Sequence, residues 1–377
     1  PAICYTVHKY WNGFHFGREA LLLEKEKAVR LLDVARHAGV GVGTASRVLN
    51  HEPGVSEEKR QRVLRAIEEL GYRRNAIARS LKVNRTKTLG VVIPDIANEF
   101  YCEIVRGAED AARSEHYTII LCSTDSRPAQ ELSTITMLTE KQVDGVIMLS
   151  YDCCPQTLDA LKRSGLPTAL ISTLCTDDAY ITINISNFDA AYQAVEHLIG
   201  LGHRSIAMLA GPPSDIDGGE NRLLGYRAAL AAHGLHGLDP AETLVVPSSA
   251  YTYEAGYACT RKLLATQRVF TAVFAATDHM AVGCVKALWD NGLRVPEDIS
   301  VIGFDNLSIT GYSTPPITTV NQPRYEMGRL AAQKICQVLA GQDVEQRHIT
   351  LRHNIVYRAS TAAPGRLKQY VPSGKPV

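Results

Sequence analysis

The sequence predicts an all-α helix-turn-helix head followed by an α/β body of two lobes, each a doubly wound parallel sheet. Three observations carry that prediction. Residues 28–88 hold 13 Lys+Arg against 6 Asp+Glu, a net of +7, and read as short helices closed by glycines. From Thr88 onward, short β-rich runs alternate with amphipathic helical stretches, the pattern that builds parallel sheets covered by helices on both faces. The alternation continues for roughly 270 residues, long for one such unit and natural for two.

In the head, Leu31–Ala38 is a helical pattern stopped at Gly39, and Val42–Asn50 is a second, with a tight Ala38-Gly39-Val40 turn between them. His51–Gly54 is turn-like. Ser56 stands as an N-cap, with Glu57 and Glu58 in the first turn favouring the helix dipole. Val63, Ile67 and Leu70 then recur at helical spacing, and Gly71 ends the third helix. Asn75 is placed to cap one more short helix through Leu81, followed by a polar linker.

In the body, strands are expected at 89–94, 117–122, 145–149, 168–172, 181–183, 205–210, 243–246, 272–275 and 300–304. Helices are expected at 101–115, 189–201, 223–232, 255–265 and 280–291. In open α/β sheets ligands bind beyond the carboxyl ends of the strands, and a cleft between two lobes brings two such ends face to face.

Whole-chain charge conceals this division. The 377 residues include 40 Lys+Arg and 39 Asp+Glu, a net of +1, which taken alone argues against a nucleic-acid partner. Divided, residues 1–27 carry +1, residues 28–88 carry +7, and residues 89–377 carry −7. A +7 head reads either as a polyanion-binding surface or as a solvated helical face. No stretch approaches the roughly 20 apolar residues that span a bilayer, and residues 1–17 lack the apolar core of a secretory signal. The nine cysteines are scattered with no CxxC pair, which argues against a disulfide framework or structural zinc; adjacent Cys153 and Cys154 read as a redox pair or as ordinary thiols. A cytoplasmic chain without metal or cofactor is expected.

Several ordered motifs then resemble one family. Leu32-Asp33-Val34-Ala35-Arg36-His37-Ala38-Gly39-Val40 and Thr44-Ala45-Ser46-Arg47-Val48-Leu49-Asn50 are similar to the DNA-binding head of LacI/GalR regulators. Asn75-Ala76-Ile77-Ala78-Arg79-Ser80-Leu81, Leu201-Gly202-His203-Arg204, Ala276-Thr277-Asp278-His279 and Ile302-Gly303-Phe304-Asp305-Asn306 extend the resemblance to about residue 361. Among members, the body resembles the catabolite-control type through Tyr251-Thr252-Tyr253 and Gln322-Pro323-Arg324. The resemblance implies a periplasmic-binding-protein-like body and a sequence-specific transcriptional regulator, a repressor of carbohydrate utilisation. It also implies a homodimer or tetramer, operator DNA as partner, and a sugar or sugar-phosphate effector.

Residue by residue, the resemblance puts Val42, Gly43 and Arg47 at base-reading positions, Arg47 suiting guanine through its planar fork. Thr44, Ser46 and Asn50 fall near phosphates, and Ser56 is a further DNA-binding position. Asn75, Ala78 and Leu81 match the hinge helix, Leu81 being the leucine that wedges into a minor-groove step. Departures are Gly41 where a Ser usually caps the reading helix, Arg30 for a capping Thr, and Arg74 for a Pro before the hinge. For the effector, the matching positions are Phe100, Tyr101, Ser172, Arg222, Tyr251, Thr277, Asp278, Asp305 and Gln322. Ser172 stands where several sugar-binding relatives have Asp. Gln333 stands where catabolite-control proteins read a carrier phosphoserine with Arg, which favours a small-molecule effector over a phosphoprotein.

The expected division is 1–27 as an extension outside the match, 28–72 as the DNA-binding domain, 73–88 as hinge and linker, 89–361 as the effector-binding body, and 362–377 as a flexible tail. The lobes are expected at about 89–186 with 318–346, and 187–317 with 347–361. The first Met is Met137, and native translation is expected to start near Leu21–Val29. Two other classes stay in view: a sugar-binding protein sharing the two-lobed body, and an α/β enzyme using Asp278 and Asp305 as an acid/base pair. No GxxxxGK[ST], GxSxG or HExxH motif supports the enzyme.

Overall fold

The computed structural model describes residues 29–72, 85–150, 154–235 and 244–365. The chain divides into two units between residues 83 and 84. In the first, α1 (Leu31–His37), α2 (Val42–Leu49) and α3 (Glu57–Glu69) fall where the glycine breaks and apolar spacing place them. Arg30 caps α1 without a side-chain acceptor; instead Asp33 Oδ2 accepts the Arg30 N–H at 2.9 Å. Gly39 turns the chain at φ +63°, a conformation that costs other residues energy. The core is small, built from Val34, Ala35, Ala38, Ala45, Val48, Val63 and Ala66. His37 Nε2 lies 2.7 Å from Glu69 Oε2 and ties α1 to α3.

The second unit has two six-stranded sheets. The first contains β1 (Thr88–Ile93), β2 (Thr118–Ser123), β3 (Gly145–Leu149), β4 (Thr168–Ile171), β5 (Ile181–Ile185) and β11 (His348–Leu351), in the order β11-β5-β4-β3-β1-β2. All its pairings are parallel. Its central strands are buried on both faces and read as unbroken apolar runs, as parallel strands must. The second sheet contains β6 (Ile206–Ala210), β7 (Val245–Pro247), β8 (Ala272–Ala275), β9 (Ser300–Asp305), β10 (Thr318–Asn321) and β12 (Asn354–Val356), in the order β12-β10-β9-β8-β6-β7. Only β12 runs antiparallel to its neighbour.

The first sheet packs α4 (Phe100–Ser114) and α12 (Arg324–Leu339) on one face, and α5 (Pro128–Glu140) and α6 (Pro155–Ser164) on the other. The second buries α7 (Asn187–Gly200), α8 (Asn221–Ala232), α9 (Tyr253–Ala265) and α10 (Asp278–Asp290) in a single cluster with its strands. A one-turn α11 (Ile309–Tyr312) follows β9. Between α4 and α12 the backbones touch: a methyl on Gly328 would collide with the Ile104 carbonyl, and one on Gly107 with the Tyr325 carbonyl.

The chain crosses between lobes three times, from β5 to α7, from β10 to α12 and from β11 to β12. This corrects the expected lobe limits. Residues 318–321 pair with β9 in the second sheet, and 348–351 pair with β5 in the first. The β10 run Thr318-Thr319-Val320-Asn321 is buried and short, so nothing in its pattern says which sheet receives it. Ala362, expected in a flexible tail, is instead held by the body. Ala362 donates its N–H to Ser300 Oγ at 3.0 Å, and its carbonyl lies 2.9 Å from His203 Nε2.

Candidate functional site

Helix α2 turns Ala45 and Val48 into the head core, which leaves its opposite face outward. Val42, Gly43, Arg47 and Asn50 are exposed there, and Thr44 and Ser46 are half-buried. The Arg47 side chain is exposed and makes no hydrogen bond or ion pair among the described residues. Asn50 Nδ2 donates to Glu52 Oε1 at 3.1 Å. A methyl on Gly43 would meet open space, so no packing in the head requires glycine there. Ser56 sits at the N-cap of α3, exposed and without a side-chain cap bond. Asn75, Ala78 and Leu81 lie outside the described residues, as do Arg74, Cys153 and residues 1–28.

In the body, the polar residues converge beyond the carboxyl ends of strands from both sheets, as the topology dictates. Phe100, Ser172, Arg222, Tyr251, Thr277 and Asp305 line one cavity of about 50 Å³ together with Asn98, Asn187, Asp215, Asp217, Gly218 and His279. It adjoins a wider groove of about 620 Å³ that shares Asn98, Tyr251 and His279. Ser172 follows β4 in the left-handed region at φ +51°, and Asp305 ends β9 at φ +118°. Such backbone persists where surrounding structure holds it, and it gathers at ligand sites.

Arg222 on α8 is the centre of the cavity. Its Nε donates to Asn187 Oδ1 at 2.9 Å and its Nη1 to the Ala276 carbonyl at 2.6 Å. Nη2 lies 3.9 Å from Asp305 Oδ1, and the guanidinium stacks 3.7 Å from the Phe304 ring centre. Burial pushes the Asp305 carboxyl up to about 6, opposed by Arg222, Arg324 and a hydrogen bond from Gln322. Tyr251 donates its hydroxyl to Asp215 Oδ2 at 2.6 Å, and Asp215 Oδ1 accepts the Gly218 N–H at 2.8 Å, capping a single π-helical turn over Ile216–Glu220. Thr277 caps α10 by accepting the Met280 N–H. Burial lowers the His279 pKa.

Three expected effector residues take supporting places instead. Tyr101 is 2% exposed and packs into the first-lobe core, because helical geometry turns it away from the face that carries Phe100. Asp278 is fully buried: its Oδ2 accepts the Leu307 N–H at 2.7 Å and its Oδ1 the Thr319 hydroxyl at 2.6 Å. It therefore fixes the loop after β9 rather than facing the cavity. Burial and the neighbouring Asp305 push its pKa well above the usual carboxylate range. Gln322 is 2% exposed and donates to Asp305 Oδ1 at 2.7 Å, holding that carboxylate from behind. The sequence reading missed Asn187, Asp215, Asp217 and His279. The Asp215–Gly219 run follows the carboxyl end of β6, and that position was the available signal.

A helix-turn-helix with an outward-facing second helix, on the same chain as a two-lobed body with a polar cleft, defines a ligand-responsive DNA-binding regulator. Comparison with known proteins agrees along the chain. The model of bacterial regulatory proteins of the lacI family matches residues 30–75, and that of the periplasmic binding protein-like domain matches residues 195–361. Catabolite control protein A of Priestia megaterium is 37% identical over 333 residues, 88% of this chain and 99% of the relative. A transcriptional regulator CelR–cellobiose complex matches with TM-score 0.67 at 34% identity, covering 88% of this chain and 99% of that one. The lac repressor dimer bound to operator and the anti-inducer ONPF matches with TM-score 0.80 at 29% identity, covering 89% and 100%. The chain belongs to the LacI family of DNA-binding transcriptional regulators. No helix of the described residues is long and apolar enough to cross a membrane.

Proposed function

We propose that the chain is a cytoplasmic homodimeric repressor of a carbohydrate-utilisation operon, released or engaged by a sugar-class effector in the inter-lobe cleft. The observation that carries this reading is the presence on one chain of an exposed Arg47 fork on α2 and of a cavity whose polar groups surround Arg222. In a helix-turn-helix the early residues of the second helix reach base edges. Arg47 is the base reader, aided by apolar or backbone contact from Val42 and Gly43. Thr44, Ser46 and Asn50 set register on phosphates, and Ser56 is a further DNA contact. Asn75, Ala78 and Leu81 are assigned by the resemblance to the centre of the operator, where Leu81 enters the minor groove. The relative bound to cellobiose supports a saccharide in the cleft, and the lac repressor dimer on operator supports a dimer.

The enzyme alternative fails on geometry. Asp278 and Asp305 cannot act as an acid/base pair on a cleft ligand, because Asp278 is sequestered beneath the β9–β10 connection with both oxygens engaged. An operator recovered by selection from random duplexes, then titrated in a gel shift, tests the reading. Arg47→Ala is expected to weaken specific binding about 10- to 100-fold while leaving nonspecific binding nearly intact. Equal specific affinity in wild type and Arg47→Ala removes the assignment.

A further inference from the structure

Three carboxylates, Asp215, Asp217 and Asp305, line the cavity with one guanidinium, and that guanidinium is already committed to Asn187, the Ala276 carbonyl, Asp305 and the Phe304 face. Asp215 is likewise engaged, by Tyr251 and Gly218. Asp217 is not. It sits in the π-helical turn, a rare geometry that is frequent at functional sites. The residue is 5% exposed, and its Oδ2 is buried without a hydrogen-bond partner. A buried acceptor left unpaired costs free energy until a donor arrives.

We propose that Asp217 is a specificity-determining residue of the cleft: it accepts a hydrogen from a hydroxyl of an uncharged, unphosphorylated polyhydroxyl effector, and the acidic lining excludes phosphorylated counterparts. The inference rests on the cleft being the effector site, and it narrows the sugar or sugar-phosphate class to the former. A phosphate dianion here meets three carboxylates, and among the described residues of the lining the basic groups are Arg222 and His279. Arg222 already gives Nε to Asn187 and Nη1 to the Ala276 carbonyl and pairs with Asp305 at 3.9 Å, and burial disfavours the charged form of His279. Burial, with the neighbouring Asp215, raises the Asp217 pKa, opposed by hydrogen bonds from Asn187 and Asn221 and by the Arg222 charge. A donor hydroxyl satisfies that carboxyl without adding charge.

The test uses the full-length protein and matched pairs of probes: D-glucose with glucose 6-phosphate, D-ribose with ribose 5-phosphate, and cellobiose with cellobiose 6′-phosphate. Thermal shift and calorimetry are run on wild type, Asp217→Asn, Asp217→Ala and Arg222→Ala. The expected result is that at least one free sugar binds and its phosphate binds at least tenfold more weakly. Asp217→Ala is expected to weaken the free sugar about 10- to 100-fold. Asp217→Asn, of the same shape and one charge fewer, is expected to narrow the discrimination against phosphate. A phosphorylated probe binding as tightly as its free partner overturns the proposal, and so does a panel in which no probe binds. Binding lost in Arg222→Ala but unchanged in Asp217→Ala defeats Asp217 alone. Binding unchanged in both defeats the cleft reading itself.

Discussion

Arg222 was legible from the sequence as the arginine three residues before Gly225-Tyr226, but its several partners were not, because they come from α7, β9 and the end of β8. The same limit explains Tyr101, Asp278 and Gln322. A motif match names a position near a site, and only packing decides whether the side chain faces the ligand or braces its neighbour. At this scale two outcomes are expected. Arg222→Ala removes most of the thermal shift given by a cleft ligand while leaving operator affinity without ligand within about threefold, since a buried charge-assisted contact carries roughly 1.5–3 kcal/mol. The second concerns pH. A carboxyl at about 6 when folded and 3.8 when free takes up a proton on folding between those values, so its contribution to stability improves as pH falls through about 6 and levels off below about 3.8. Asp305→Asn lacks that gain. Melting temperatures of wild type minus Asp305→Asn should therefore rise from pH 7.5 to pH 5, and a flat difference argues against the buried carboxyl.

Most strands and five of the body helices were readable from their patterns, but α12, at 16 residues the longest helix among the described residues, was not among those expected. All nine expected strands occur with ends shifted by two residues or fewer. The unread ones were β10, β11 and β12, of three or four residues each, too short to establish a pattern. Their pairing depends on contacts far along the chain, β11 with β5 and β12 with β10, and that is why the expected lobe limits slipped. Helices α5 and α6 begin at Pro128 and Pro155, first-turn prolines that mark helix starts and passed unread. Between α4 and α12, Gly107 and Gly328 admit carbonyls where a methyl cannot fit. Gly328→Ala is expected to cost about 1–3 kcal/mol through overpacking, visible as a lowered urea midpoint with unchanged slope. An unchanged midpoint means that the helices part without penalty.

For the whole molecule, the net +1 is a sum of unlike parts, a +7 segment at residues 28–88 and a −7 segment from residue 89 onward. Phosphate contacts from the basic segment should make specific binding fall steeply with salt. A ligand that prefers one arrangement of the lobes shifts the DNA-competent population by no more than its differential affinity, typically about 1–3 kcal/mol, or roughly 5- to 150-fold in operator affinity. The most direct measurement is operator affinity by fluorescence anisotropy, with and without a saturating cleft ligand, in wild type and Arg222→Ala. The expected result is a change of at least about fivefold in wild type and none in Arg222→Ala, with the two proteins within about threefold of each other in the absence of ligand. An operator affinity indifferent to the ligand in wild type, or shifted equally in Arg222→Ala, contradicts the account of a DNA reader governed from this cleft.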